Sequence, residues 1–203
     1  SADLTQSGHL LAVDYDGNNN GLNGNYGTGV ASGATITPTS NDSAVSGVRI
    51  MKAYPIVAYI PLSSTEKVIA TKANNIIYKF SVMANSGDVA IYKFVMSIGS
   101  SSLAATTSQY ALYAYTDSGF STVDSTFSAG GLINAGTCFN GLASTAAGPR
   151  TISIYPDKTS CNSSATTTYI VPKGLTRYFQ FRATAANVST NTNSKDTITV
   201  NLS

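Results

Sequence analysis

The sequence predicts an all-β fold: an antiparallel β-sandwich, Ig-like or jelly-roll-like, with long Gly/Ser/Asn-rich loops. Two observations carry this. Apolar and polar residues alternate with a period of two in run after run, and no window holds a sustained 3.6-residue period. The runs are rich in β-branched and aromatic residues and are bounded by Gly, Ser and Asn clusters, as half-buried strands require.

The elements follow in order. Residues 9–14, 45–53 and 55–61 read as strands. In IIYKFSVMA, Tyr78, Phe80 and Val82 share one face and Lys79 and Ser81 the other. In VAIYKFVMSI, Tyr92, Phe94, Met96 and Ile98 alternate with Lys93, Val95 and Ser97. Between these runs NSGDV (Asn85 to Val89) reads as a tight hairpin turn. Further strands are expected at 110–116, 151–155 and 167–171, then in RYFQFRA, where Phe179 and Phe181 oppose Gln180 and Arg182. The last is DTITVNL, where Ile198, Val200 and Leu202 oppose Thr197, Thr199 and Asn201. Residues 64–74 are the one stretch that reads either as a short helix or as a connecting loop. Residues 117–150, poor in apolar residues, are expected as an excursion outside the core. The expected division is an N-terminal strand plus Gly/Asn-rich linker over 1–44 and a sandwich domain over 45–203.

Charge is scarce. Charged residues make up 11% of the 203, with a formal net charge of +2, against about 25% in an ordinary globular protein. Lys and Arg are scattered singly, which argues against nucleic acid and against a polybasic membrane contact. No apolar run reaches the ~18 residues of a membrane-spanning helix, so membrane insertion is not expected. A neutral hydroxyl and amide surface suits a secreted or cell-surface protein that packs against copies of itself. The start at Ser1 reads as a processed end.

The two cysteines, Cys138 and Cys161, lie in AGTCFNG and KTSCNSS and match no metal spacing. A disulfide between them is the expectation for an extracellular chain, worth about 3 kcal/mol by loop-closure entropy.

The run from Asp16 to Leu22, DGNNNGL, has two readings. It matches the first half of a calcium loop, with Asp14 just ahead and Asp16, Asn18, Asn20 and the Leu22 carbonyl as oxygen donors. The twelfth position is Gly27 rather than a glutamate, which leaves few charges and weak binding. The other reading is an Asn/Gly loop that satisfies its own backbone. Calcium is the one cofactor this pattern suggests.

Catalytic machinery is not expected. His9 is the single histidine and sits beside the N-terminus, a poor place for a general base. Glu66 is the single glutamate, and Asp117 and Asp124 read as turn formers rather than a facing acid pair. Tyr113 and Tyr115 share a strand face opposite Tyr110. Such a row either packs inside the protein, meets another subunit or stacks on a sugar. Sequons at Asn41, Asn162, Asn187 and Asn201 allow glycosylation.

Three features together resemble secreted microbial surface proteins with β-sandwich domains, among them donor-strand filament subunits and surface-layer or adhesin-like modules. They are the two cysteines, the double run IIYKFSVMANSGDVAIYKFVMSI and the separated strand at 5–13. The resemblance implies a structural extracellular subunit. It would polymerise with identical copies by donating the segment that holds Thr5, Ser7, His9, Leu10, Leu11 and Val13 to a neighbour's sheet. The alternative is a carbohydrate-binding module or adhesin, with glycans as partners and calcium as an aid. The long Gly/Ser loops depart from chaperone-assembled pilins.

Overall fold

A computed structural model describes residues 9–11, 26–36, 48–101, 105–134, 150–157, 167–189 and 196–203. The described residues form thirteen strands and no helix. The chain divides into two compact units, 1–52 and 53–203. The division falls at Lys52/Ala53, eight residues beyond the expected 44/45.

In the first unit, β1 (His9–Leu11) pairs antiparallel with β4 (Val48–Ile50), three residues against three. The strand expected at 45–53 therefore joins the N-terminal strand rather than the sandwich. β2 (Gly27–Thr28) and β3 (Thr35–Ile36) form a second small ladder. Its turn is closed by the Gly29 amide on the Ala34 carbonyl at 2.8 Å, with Gly33 left-handed at φ 64°.

The second unit holds the core. One sheet runs β5 (Tyr54–Tyr59), β6 (Lys72–Asn85), β12 (Thr176–Ala186), β9 (Thr106–Tyr115), all antiparallel. Another runs β10 (Arg150–Ile154), β8 (Phe94–Ser100), β13 (Ile198–Leu202). β7 (Val89–Ile91) pairs with β11 (Tyr169–Val171). The arrangement is compatible with a β-sandwich. Phe80 and Phe179, adjacent in the first sheet, stack at 4.9 Å and 13°, and Phe94 of the second packs against both at 5.7 and 5.1 Å. All three are buried, as is Met96. Burial of one such side chain contributes about 1.5–3 kcal/mol, and the ring contacts add roughly 0.5–1.5.

Most expected strands appear, with shifted ends. The alternation in β6 changes phase: Asn75 and Ile77 are buried, then Phe80, Val82 and Ala84. A register shift against β12, where Phe181 faces Tyr78 but Arg182 faces Ile76, absorbs the extra residue.

Two expectations are corrected, and the open reading of 64–74 is decided for the connecting loop. NSGDV does not close a hairpin, because β6 pairs with β5 and β12 while β7 pairs with β11. The turn carries the chain out of one sheet, so the apolar faces of both runs contribute to a single core. Ser86, left-handed at φ 68°, makes the turn, and the Asp88 carboxylate anchors it by accepting the Lys173 amide at 2.7 Å. Residues 64–74 form no helix. Ser63 and Glu66 make the reciprocal bonds of a capping box, at 2.7 and 3.3 Å, but only a turn follows. The excursion after β9 is not outside the core over its described part. Gly131 and Ile133 hydrogen-bond Ala114 and Leu112, and Ile133 is fully buried. Gly131 is obligatory: φ is 72° and a Cβ would lie 2.8 Å from the Ala114 carbonyl oxygen.

Candidate strand-docking site

β5 is the anomaly. Every residue from Tyr54 to Tyr59 is exposed, although four of the six are large and apolar. Its pairing explains which way each group points. The Ala84 amide and carbonyl bond to Leu175 and Gly174, away from β5, and the Ile60 amide bonds to Lys79. Alternation then assigns residues 54, 56, 58 and 60 to the ladder with β6. It turns the backbone groups of 55, 57, 59 and 61 to the open edge. Positions 55 and 61 are prolines. They have no N–H to donate, so Val57 and Tyr59 are the donors on this edge, bracketed by prolines.

The side chains matter as much. Val57 faces Val82 and Tyr59 faces Phe80. Val82 and Phe80 are core residues, so Val57 and Tyr59 lie on the core face of the sheet. They are nevertheless 50% and 58% exposed. Among the described residues, the second sheet ends before it reaches them. β13 is its last strand on this side: the Leu202 backbone hydrogen-bonds the Tyr78 hydroxyl of β6. Tyr59 meets only the rim, with its ring 5.4 Å from that of Tyr78. Each half-exposed side chain forgoes about 1 kcal/mol of burial.

The free edge of β13 follows from the same reasoning. Thr197, Thr199, Asn201 and Ser203 face the ladder with β8, since the Thr197 carbonyl takes the Ser101 amide and the Ser203 amide reaches Val95. The backbone groups of Ile198, Val200 and Leu202 therefore face outward, with the Leu202 backbone already met by the Tyr78 hydroxyl and Ile198 and Val200 left open. Their side chains lie on the core side, with Val200 buried and Ile198 and Leu202 half-buried at its margin. Among the described residues, no strand occupies the position beside β13 and over β5. The geometry is that of a layer one strand too narrow for its partner.

The opposite face of the first sheet is covered in part, although Tyr54, Ile56 and Ala58 of β5 stay exposed on it. Phe120 meets Tyr115 and Tyr178 edge-on at 5.4 and 6.1 Å, and the Lys79 ammonium lies 5.0 Å from its ring centre. Lys79 also pairs with Glu66 at 2.8 Å. Burial pushes the Glu66 carboxyl up, but the Lys79 and Ser63 hydrogen bonds outweigh it and hold it below its usual value. Arg182 lies over the Tyr113 ring at 4.4 Å and donates to the Tyr115 hydroxyl and to Gln180, both at 2.6 Å. Tyr115 is 5% exposed. The tyrosine row is thus consumed by the protein's own side chains and offers no open stacking platform.

Asp117 and Asp124 are not a facing acid pair. Asp117 organises its loop by accepting the Ser121 and Thr122 amides at 3.1 and 2.7 Å, as its sequence context suggested. Those backbone bonds lower its pKa. Asp124 is a turn former only in part. It accepts the Thr126 amide at 3.0 Å, and its other oxygen lies 2.5 Å from both Arg177 Nε and the Tyr169 hydroxyl. The sequence reading missed this ion pair; Arg177, on the core-facing parity of β12 beside Phe179 and Phe181, is the signal that points to it.

Of the expected strand donors, His9, Leu10 and Leu11 form β1; Thr5, Ser7 and Val13 lie outside the described residues. So do Asp14, Asp16, Asn18, Asn20, Leu22, Cys138, Cys161, Asn41 and Asn162. Asn187 is exposed in the turn after β12, left-handed at φ 55°. Asn201 is exposed on β13.

These features define an all-β protein in which, among the described residues, the core face of β5 is left uncovered. Comparison with protein families, with curated proteins and with solved structures finds no match.

Proposed function

We propose that this chain is a structural, extracellular subunit that assembles with copies of itself by β-strand donation, and that it transforms no substrate. The observation that supports this best is the uncovered core face of Val57 and Tyr59 beside the free edge of β13. A strand from a neighbour would supply main-chain hydrogen bonds to the edge and side chains to the face. Each subunit both gives and receives, so the contact is heterologous and runs on into a filament or layer. A chain with only 11% charged residues supports close packing of copies, because little charge repulsion opposes it. The seven principal strands, four against three, favour an Ig-like connection over an eight-stranded jelly roll.

The donor is the N-terminal segment, residues 5–13. Within one chain its residues His9–Leu11 are held to Val48–Ile50 by only three residue pairs. A two-stranded ribbon of that length is marginal in water, so exchanging it for a longer pairing with a neighbour costs little.

Electron microscopy and light scattering of the full chain across a concentration series test the proposal. Polymers are expected. A chain lacking residues 1–13 is expected to fold, with a cooperative melt, and to stay monomeric. Fibres from that shortened chain would overturn the N-terminal donor. A full chain that remains monomeric throughout the series would overturn self-assembly, and glycan binding by that monomer would favour the adhesin alternative.

A further inference from the structure

The incoming strand has two edges to choose from, that of β5 and that of β13. Resting on the strand-donation reading above, we infer that residues 5–13 of a second copy pair with β13, not with β5, and lie across the core face of Val57 and Tyr59.

Three observations decide between the edges. First, the β5 edge is interrupted. Its outward positions are Pro55, Val57, Tyr59 and Pro61, so a strand laid along it loses a partner at each end. The outward positions of β13 are Ile198, Val200 and Leu202, with no proline; the Tyr78 hydroxyl meets Leu202, and Ile198 and Val200 are consecutive open positions. Second, only one choice buries what is exposed. A strand beside β5 extends its sheet sideways and leaves the Val57 and Tyr59 side chains as open as before. A strand beside β13 widens the opposite layer and covers them. Third, the same placement encloses Ile198 and Leu202, the half-buried residues that flank Val200.

The occupant fits in charge and in length. Tyr54–Tyr59 and Ile198–Leu202 contain no charged residue, so the slot offers no counter-ion to a charged strand. Thr5–Val13 contains no Asp, Glu, Lys or Arg. Its nine residues span about 30 Å when extended, enough to run past the five residues of β13. In the donated strand Leu11 and Val13 share one face and Leu10 and Ala12 the other. The face with two branched side chains turns inward, toward Val57 and Tyr59.

Hydrogen exchange on the assembled full-length protein tests this, quenched and read residue by residue after dissociation, against the same protein diluted to monomer. Pairing with β13 is expected to slow the Ile198 and Val200 amides at least tenfold on assembly and to leave the Val57 and Tyr59 amides unchanged. Slowing of Val57 and Tyr59 without Ile198 and Val200 would overturn the choice of edge and leave strand donation standing. Assembly that protects neither pair, or no assembly at all, would overturn strand donation itself and this inference with it.

Discussion

Arg177 Nε and Asp124 Oδ2 stand 2.5 Å apart, and the aspartate is 1% exposed. Burial alone would push the Asp124 carboxyl up. Hydrogen bonds from Thr126, Tyr169 and Arg177 reverse that and hold its pKa down at about 2, from an ordinary 3.8. Tyr169 moves the other way: burial, then the neighbouring carboxylate, raise its pKa. The site therefore holds an ionised Asp124 and a neutral Tyr169 across the whole neutral range.

Because the folded pKa of Asp124 is depressed, its contribution is present above the unfolded value near 4 and is lost as pH falls toward 2. The shift corresponds to about 2 kcal/mol. Chemical denaturation between pH 5 and pH 2 is expected to show stability falling mainly below pH 4. In Asp124→Asn that acid-side slope is expected to be shallower. At pH 7 the same variant leaves Arg177 buried without its counter-ion and is expected to lose about 3–5 kcal/mol.

Phe120 is a bulky residue held left-handed at φ 56°, a conformation its Cβ disfavours. Its contacts with Tyr115, Tyr178 and Lys79 hold it there. Phe120→Gly relieves the backbone and deletes the ring, whereas Phe120→Ala keeps some strain and also deletes the ring. Both are expected to melt lower than the parent, by about 1–3 kcal/mol, with alanine the lower of the two. Thermal melts followed by near-ultraviolet circular dichroism read this through Tyr115 and Tyr178. If alanine and glycine melt alike, backbone strain at this position is negligible.

How far the sequence carried the reading depends on where its period was informative. Phe94, Met96, Ile98, Phe179 and Phe181 alternate cleanly, and all are buried. Partnering is another matter, since alternation assigns a face and not a neighbour. Asn85 to Val89 therefore reads as a hairpin although it leads out of its sheet. The polar composition of 117–134 hid Ile133 and Asp124, whose burial comes from backbone bonds to β9 and from one arginine far along the chain. The docking site was half legible. YPIVAYIPL is apolar on both parities and bracketed by prolines, which marks an edge strand. That its inner face is bare depends on the width of the opposing sheet, which no local pattern encodes.

The prolines of β5 make a separate prediction. If Pro55 and Pro61 guard the edge, replacing both with threonine restores two outward donors next to Val57 and Tyr59. The double variant is expected to fold, because neither position bonds to β6, and then to aggregate irregularly. Thioflavin fluorescence and turbidity should rise at concentrations where the parent gives only ordered assemblies or monomers. An unchanged solution would mean that something other than the prolines protects this edge.

The N-terminal segment carries the sharpest test of strand parity. In a strand laid over Val57 and Tyr59, the inward set holds Leu11 and Val13, and Leu10 points to the opposite face. Leu11→Asp places a charge in a slot with no counter-ion, a cost of several kcal/mol against the assembly. Leu10→Asp places the same charge on the outer face, where water reaches it. In the ladder with β4, Leu10 lies opposite Arg49 and Leu11 opposite Val48, so both substitutions are made in an Arg49→Ala background, where neither new charge meets a cation across the ladder. Light scattering is expected to show the critical concentration for assembly raised at least a hundredfold by Leu11→Asp and less than tenfold by Leu10→Asp. The reverse order would place Leu10 inward and shift the register by one residue. Equal and small effects would remove the segment from the contact altogether.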